Sequence, residues 1–181
     1  AMAQRGEPRW LTPAEMQTWL RLMAMVELLP SVLDQQLRRD AGLTHFEYQV
    51  LAMLSEAPER TLRMSVLAAH TTATLPRLSH VVTRLARRGL VERRTSPQDG
   101  RATDVVLCEA GWGELVAAAP GHVEAAREYV FDALTVGQVR ELNGIADALL
   151  ARLDPAGDRI CLLPPDHAAT HTNTRTNTKE M

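Results

Sequence analysis

The most constraining feature of this sequence is an arginine-rich stretch in an otherwise acidic chain. Residues 60–104, called the basic segment below, hold nine arginines against Glu92, Asp99 and Asp104, a balance of +6. The chain as a whole has a formal net charge of −2, so the remainder carries −8. Such an asymmetry indicates a partner that carries many negative charges, as nucleic acids do.

The first half of the basic segment is typical of two short helices joined by a turn. Helical spacing predicts one helix over residues 62–70, and the threonine-rich residues 71–74 predict the turn. Thr74 is a favourable cap for a second helix that continues to about Arg88, with Gly89 as its C-terminal stop.

This second helix is predicted to have two different faces. On a wheel of about 100° per residue, four apolar residues fall together, namely Leu78, Val81, Val82 and Leu85. The opposite face carries Arg77, His80, Arg84 and Arg87, with Pro76 and Thr83 at its margin. A face that only meets water usually mixes both signs of charge, and this one has no acidic residue, which favours contact with phosphates and bases over simple solvation.

A two-stranded hairpin is predicted next. Residues 90–94 and 103–107 are strand candidates, and residues 96–100 contain the Pro and Asp-Gly signals of a tight reversal. Arg93, Arg94 and Arg101 would surround its tip. An isolated hairpin is marginally stable in water, so we expect this one to pack on the preceding helices. A solvated strand face remains open for Arg93 and Arg94, and interaction with the helix dipole for Arg87 and Arg88.

Long helices with apolar stripes flank the basic segment. Residues 12–42 begin with a capping box at Thr12, end at Gly42 and contain Pro30, which is expected to kink or split the helix. Residues 111–153 are helical, with an expected bend or interruption at residues 120–121. These stripes need a partner to cover them, such as a second subunit. Residues 1–11 form an N-terminal extension, and residues 154–181 lack periodicity, as expected of a mobile tail.

Several classes of protein are disfavoured by composition and motifs. No apolar run approaches the roughly 20 residues of a membrane span, and the N-terminus lacks the apolar core of a signal peptide. Cys108 and Cys161 have no metal-ligand spacing, so a reduced, cytoplasmic chain without metal or cofactor is expected. No nucleophilic triad, phosphate loop or paired-carboxylate pattern indicates an enzyme.

Three runs in this order carry a closer resemblance. They are residues 85–93 (LARRGLVER), Asp99-Gly100-Arg101, and residues 107–111 (LCEAG). Over about residues 10–153 the chain resembles the MarR family of bacterial transcription regulators. Cys108 departs from the threonine that is usual there, and a thiol is a poor helix cap.

The resemblance implies a mainly α fold with a small β-hairpin wing. This winged helix–turn–helix would occupy residues 43–110, and the flanking helices at 12–42 and 111–153 would form a homodimer. Each subunit would place one helix in a major groove and the wing over a minor groove. The expected function is a sequence-specific transcriptional regulator, a repressor, that binds a pseudo-palindromic operator in double-stranded DNA.

Candidate contacts follow from these positions. Backbone amides and threonine hydroxyls at the start of the second helix suit phosphate, its first turns suit base edges, and the wing tip suits a minor groove. The DNA-binding candidates are Thr72, Thr74, Pro76, Arg77, Ser79, His80, Arg84, Arg88, Arg94 and Arg101. By resemblance, Asp99 would orient a wing arginine through an ion pair.

Control by a small aromatic or lipophilic ligand is also implied by the resemblance. The candidates near the crevice between the dimer helices and the winged domain are Trp19, Arg21, Met23, His45, Tyr48 and His70, with Arg21 as an anchor for a carboxylate. An ordinary core role is the alternative for these side chains. Two other functions stay open: an architectural DNA-binding protein without ligand control, and a redox-sensing regulator that uses Cys108.

Overall fold

The computed structural model describes residues 8–97 and 99–157. The first helix, α1 (Pro13–Ala41), has the predicted capping box, in which Thr12 accepts from the Glu15 amide and Glu15 accepts from the Thr12 amide. It ends at Gly42, whose φ of 62° is in the left-handed region. Both predicted ends of this helix are confirmed.

Pro30 does not split α1, which continues through it as one helix. A proline removes the amide that would bond to the carbonyl four residues earlier, here that of Val26. Val26 and Pro30 are both exposed, so this part of α1 lies away from the core. The predicted split was wrong.

The core forms around α2 (His45–Glu56), which begins at a second capping box between Thr44 and Glu47. Val50, Leu51 and Leu54 on this helix are fully buried. They pack in one cluster with residues from the C-terminal part of α1 and from the elements that follow, among them Leu37, Leu67, Leu78, Leu85, Val105 and Leu115.

The predicted helix–turn–helix is present, with a later start. A strand, β1 (Thr61–Arg63), occupies the residues predicted to open the first helix, so α3 spans only Met64–His70. The second helix, α4 (Leu75–Arg87), starts at the predicted cap, where the Thr74 hydroxyl accepts from the Arg77 amide. Its buried residues are the predicted Leu78, Val81, Val82 and Leu85.

The hairpin consists of β2 (Val91–Ser96) and β3 (Asp99–Leu107), paired antiparallel with Arg94 opposite Asp104. β1 pairs with the other edge of β3, Thr61 opposite Val106, which gives a three-stranded sheet in the order β1-β3-β2. The expectation of two strands was incomplete. A three-residue strand is too short to show an alternation of polar and apolar residues. Its pairing with a distant strand defines it instead.

The next helix, α5 (Glu109–Tyr129), passes through Pro120 and Gly121 without the predicted interruption. The carbonyl that loses its partner belongs to the exposed Val116. At the start of α5, Cys108 holds the cap position but its side chain makes no capping bond, as the sequence predicted.

The last described helix is α6 (Val136–Leu153), which begins at a capping box of Thr135 and Gln138. None of its residues is buried. Its large apolar side chains remain exposed, as do those along most of α1. Residues 1–7 of the predicted N-terminal extension and residues 158–181 of the predicted tail, with Cys161, lie outside the described residues.

Candidate nucleic-acid interface

The exposed face of α4 is basic and polar, and its other face is in the core. Pro76, Arg77, His80, Arg84 and Arg87 are exposed, while Ser79 is half-buried. Because the buried face is fixed by the core, the exposed one is presented to solvent at a defined angle. A rigid, positively charged helix face of this kind suits a major groove.

The turn before α4 presents two exposed threonines. Thr71 is buried, and its hydroxyl donates to the Leu67 carbonyl, which closes α3. Thr72 follows with a φ of 49°, an unusual left-handed conformation for a threonine. Thr72 and Thr74 are both exposed beside the N-terminus of α4, where backbone amides favour an anion.

Arg77 lies over an aromatic ring. Its Cζ is 4.4 Å from the centroid of Phe46, in the first turn of α2. Such a cation–π contact attracts the guanidinium to the ring face and does not neutralise its charge. Among the described residues, Arg77 has no carboxylate partner.

Arg84, a predicted DNA contact, has a different neighbour. Its Nε donates to Oε1 of Glu47 at 2.7 Å, and Glu47 is only 3% exposed. The guanidinium is therefore partly engaged within the chain, although the Arg84 side chain stays 54% exposed on the predicted outward face. The wheel showed no acidic residue because Glu47 belongs to another helix.

Glu47 is held in its charged form by several donors. Burial acts to raise its pKa, but hydrogen bonds from the Thr44 amide and hydroxyl and from Arg84, with the Arg84 charge, together lower the pKa below its ordinary value. Oε2 accepts from the Thr44 amide at 2.7 Å while Oε1 holds Arg84. One buried carboxylate therefore caps α2 and fastens α4 to it.

The hairpin arginines differ in how far they are engaged. Arg93 donates to the Thr83 hydroxyl at 3.3 Å, and Arg94 donates to Glu92 at 2.8 Å. Arg88, just after α4, donates to the Gly42 carbonyl at 3.3 Å. Arg101 is exposed at the tip, and within residues 8–97 and 99–157 its guanidinium has no hydrogen-bond or ion-pair partner.

Asp99 shapes the hairpin tip, but its contacts differ from the predicted ion pair with a wing arginine. Its Oδ1 accepts from the backbone amide of Arg101 at 3.1 Å. Its Oδ2 lies 4.0 Å from Nη1 of Arg63 on β1. Arg63 was not predicted as a neighbour of Asp99 because the strand β1, which carries it, was not predicted.

One further exposed residue at this face was not predicted. Leu75, the first residue of α4, is 51% exposed between the candidate phosphate and base contacts. An apolar side chain there suits the methyl group of thymine. Its position at the start of a helix whose other apolar residues are buried was the available signal.

Two of the six ligand candidates come together at the junction of α1, α2 and α5. The rings of His45 and His122 are 5.9 Å apart between centroids, and those of Tyr48 and His122 are 4.4 Å apart. His122 was not predicted, although it follows Ala118 and precedes Ala125 at helical spacing on the buried stripe of α5. The signal was therefore present in the sequence.

This histidine–tyrosine cluster is partly desolvated. Burial lowers the pKa of His45, against the effect of the nearby Asp34 carboxylate, and burial together with His45 lowers the pKa of His122. Among the described residues, neither Nδ1 of His122 nor Oε1 of Gln36 has a hydrogen-bond partner, and Gln36, a residue of α1, is only 6% exposed. Burial likewise raises the pKa of Tyr48.

The other ligand candidates lie apart. Trp19 and Arg21 are exposed on α1, and Met23 and His70 are half-buried. None of the hydrogen bonds, ion pairs or ring contacts of the described residues joins these four to the cluster. In the same part of the chain no group of three or more metal-ligating side chains occurs, and no helix is both long and apolar enough to cross a membrane.

Comparison with solved structures identifies the family. The chain is similar to Sco3205, a MarR family transcriptional regulator from Streptomyces coelicolor solved in complex with DNA, with 41% identity and a TM-score of 0.79. The match covers 86% of this chain and 98% of that one. The chain belongs to the MarR family. It is thus a MarR-family transcriptional regulator with a winged helix, as the resemblance implied.

Other comparisons agree with this membership. The MarR family profile matches residues 41–102. AbsC, a MarR family regulator from Streptomyces coelicolor, is 34% identical with a TM-score of 0.75, and the match covers 81% of this chain and 98% of that one. The HTH-type transcriptional repressor IacR from Pseudomonas putida is 31% identical over 110 residues, which are 59% of this chain and 62% of that repressor. These MarR relatives are regulators rather than enzymes.

Proposed function

We propose that this MarR-family chain is a sequence-specific repressor that binds a pseudo-palindromic operator as a homodimer. The observation that carries the proposal is the face of α4, where arginines, His80 and a capped N-terminus are exposed opposite a fully buried apolar face. The name of the Pseudomonas putida relative supports repression. Such a regulator would act in the cytoplasm, on the chromosome.

Distinct roles are proposed for the residues of this surface. Pro76, Arg77, Ser79 and His80 lie in the first turns of α4, which reach base edges in helix–turn–helix proteins. Thr72, Thr74 and Arg88 are proposed phosphate contacts. The guanidiniums of Arg94 and Arg101 extend the basic surface along the wing, where a narrow minor groove has its most negative potential. Asp99 is proposed to fix the backbone of the wing tip through the Arg101 amide.

The homodimer is proposed from the uncovered apolar faces of the long helices. In a single copy, large apolar side chains are exposed on α1 and α6, namely Met16, Trp19, Leu20, Met25, Val26, Leu28, Val136, Leu142, Ile145, Leu149 and Leu153. So many exposed large apolar side chains on two helices are typical of an interface. Residues 12–42 and 111–153 are accordingly the proposed dimerisation region, and 43–110 the DNA-binding domain.

Selection from a library of random-sequence duplexes tests the proposed function. The full chain should enrich one sequence with two related half-sites about one helical turn apart, because a two-fold dimer presents two copies of α4. Enrichment of a single motif without a repeat would contradict the proposal that a dimer binds two half-sites. Recovery of random sequences would favour the architectural alternative, since such a protein binds duplexes with equal affinity.

Control by a small ligand is a second proposal, and the histidine–tyrosine cluster supports it. The half-buried rings of His45, Tyr48 and His122, with Nδ1 of His122 unpartnered among the described residues, suit a ligand with both a ring and a polar group. Aromatic acids should raise the unfolding temperature of the wild-type chain and shift its DNA affinity. The same compounds should have little effect on a His122→Ala variant, and equal effects on both would place any binding elsewhere.

A further inference from the structure

The first turn of α2 holds two arginines of α4 in different ways. Arg77 and Arg84 are seven residues apart, which is two helical turns, so both lie on the stripe of α4 that faces α2. Phe46 lies beneath Arg77, and the adjacent Glu47 binds Arg84. Two consecutive residues of α2 therefore determine where two guanidiniums of α4 are placed.

The contact with Phe46 leaves Arg77 fully available. A guanidinium that stacks on a ring uses its flat face, so its five N–H donors stay free in the plane. Its charge also remains unpaired among the described residues. Phe46 is itself half-buried and packs against the core, so the ring is a fixed support. The result is a guanidinium whose orientation is restricted before any DNA arrives.

The contact with Glu47 has the opposite consequence. Arg84 gives its Nε to a buried carboxylate, so the charge is neutralised locally. Its terminal nitrogens are left for solvent or for a phosphate, but the side chain is tied to the α2 cap. Removal of Arg84 would leave Glu47 buried without its cationic partner, which is costly in a protein interior.

We infer that Phe46 is a positioning residue that preorganises Arg77 for sequence reading, and that the neighbouring pair of Glu47 and Arg84 fixes the angle between α2 and α4. This inference rests on the proposed function. A preorganised side chain loses less rotamer entropy on binding, so the benefit appears as affinity for the correct base. Phe46 touches no DNA in this account and acts only through Arg77.

The test uses the duplex enriched by the full wild-type chain and copies of it with single base-pair changes. In Phe46→Leu, which keeps an apolar core residue but removes the ring face, discrimination at the base pair read by Arg77 should fall about two- to five-fold. Phe46→Trp should restore it, because tryptophan is the best cation–π partner. The salt dependence of affinity should not change, because no charge is removed.

A double-mutant cycle separates positioning from a general effect on the fold. In an Arg77→Ala background, Phe46→Leu should cause no further loss of discrimination. If it causes the same loss there, Phe46 acts through the fold and the inference is wrong. The inference is also wrong if the Phe46→Leu chain discriminates between base pairs as well as the wild type does. An Arg84→Ala variant should mainly lower the unfolding temperature, and a loss of discrimination equal to that of Arg77→Ala would contradict the division between the two arginines.

Selection with the wild-type chain separates failure of the proposed function from failure of this inference. If it enriches no sequence, the proposed function fails and this inference fails with it. If it enriches a sequence but Phe46→Leu discriminates between base pairs as well as the wild type does, only the inference fails.

Discussion

Arg77 and Arg84 have the same side chain and lie on one stripe of α4, but their different contacts give them different roles. A ring face beneath Arg77 keeps its donors and charge, whereas the buried Glu47 carboxylate uses one donor of Arg84 and offsets its charge. A helical wheel cannot separate them, because both point away from the same core. Contacts from another helix make the difference.

Loss of the Arg101 side chain should change both DNA affinity and its dependence on salt. Its guanidinium is exposed at the wing tip and unpaired within the described part of the chain. Arg101→Ala should weaken binding to selected and shuffled duplexes alike, and should reduce the slope of log K against log salt by about one. Fluorescence anisotropy at several salt concentrations measures both quantities.

Arg94→Ala is the matched control on the same hairpin. Arg94 already donates to Glu92, so its loss should change the slope less than the loss of Arg101. Equal changes in the two variants, or a loss confined to one sequence in Arg101→Ala, would contradict the proposal that the charge of Arg101 binds the minor groove regardless of sequence.

Glu47 leads to a prediction with a definite pH dependence. Its pKa is lowered in the folded chain, so its ionised form adds stability above the ordinary glutamate pKa of about 4.3, and this is lost as the pH falls through the folded value. Glu47→Gln should lower the free energy of unfolding by about 1–2 kcal/mol at pH 7, a range that allows for solvent around Arg84. Urea denaturation of both chains at a series of pH values checks this.

The difference between wild type and Glu47→Gln should shrink below about pH 4.3, because protonation then removes the wild-type charge as well. A difference that stays constant down to pH 3 would show that packing, and not the charge of Glu47, carries the effect.

At the scale of elements, the start of α5 depends on a glycine that touches the sheet. The Leu90 carbonyl accepts from the Cys108 amide, and a Cβ on Gly111 would overlap that same carbonyl. Gly111→Ala should therefore destabilise the fold by about 1–3 kcal/mol, because backbone must move to admit the methyl group. Thermal unfolding followed by circular dichroism measures the loss.

Gly113, two residues later in α5, is the control. A Cβ there meets no atom within 4 Å, so Gly113→Ala should be neutral or stabilise the helix by about 0.5–1 kcal/mol. If the two variants lose the same stability, helix propensity and not the contact with Leu90 explains the glycine.

The features of these elements that sequence predicted are local ones. The capping box at Thr12 involves residues three apart, so its signal is complete within a short stretch. The two faces of α4 were likewise predicted from one helix. β1 was missed because its pairing with a distant strand defines it: Leu62 lies opposite Val105, 43 positions later in the sequence.

The remaining differences also come from distant contacts. Pro30 and Pro120 do not interrupt their helices, and Val26 and Val116, four residues before them, are both exposed, which the sequence does not state. The bond between Arg84 and Glu47 spans 37 positions, and the cluster around His122 joins α2 to α5. For the candidate site, sequence therefore indicated the basic surface but not the supports beneath it.

At the scale of the whole molecule, charge and apolar surface are separated. The basic segment contains the helix–turn–helix and the wing, and the uncovered apolar faces belong to α1 and α6. One surface therefore suits a polyanion and the other a second copy of the chain. Dimerisation would present two α4 helices together, and the affinity of each half-site would be combined through their fixed spacing.

The dimer proposal predicts the effect of a charge within the apolar face of α6. Ile145 is 57% exposed there, and Ile145→Glu should shift the chain toward a monomer because a carboxylate would be buried at the interface. Sedimentation velocity at micromolar concentration measures the change. Arg140→Glu, an exposed polar position on the same helix, should leave the dimer intact. A monomeric wild type, or monomers in both variants, would contradict the proposed interface.

Sequence-specific binding by α4 is measured most directly as the ratio of two dissociation constants. At one fixed salt concentration, the wild-type chain should bind its selected duplex about 10³-fold more tightly than a shuffled one. Arg77→Ala should reduce this ratio by about 5- to 100-fold, the value of one bidentate contact to a base. A wild-type ratio near one, or an unchanged ratio in Arg77→Ala, would contradict the account.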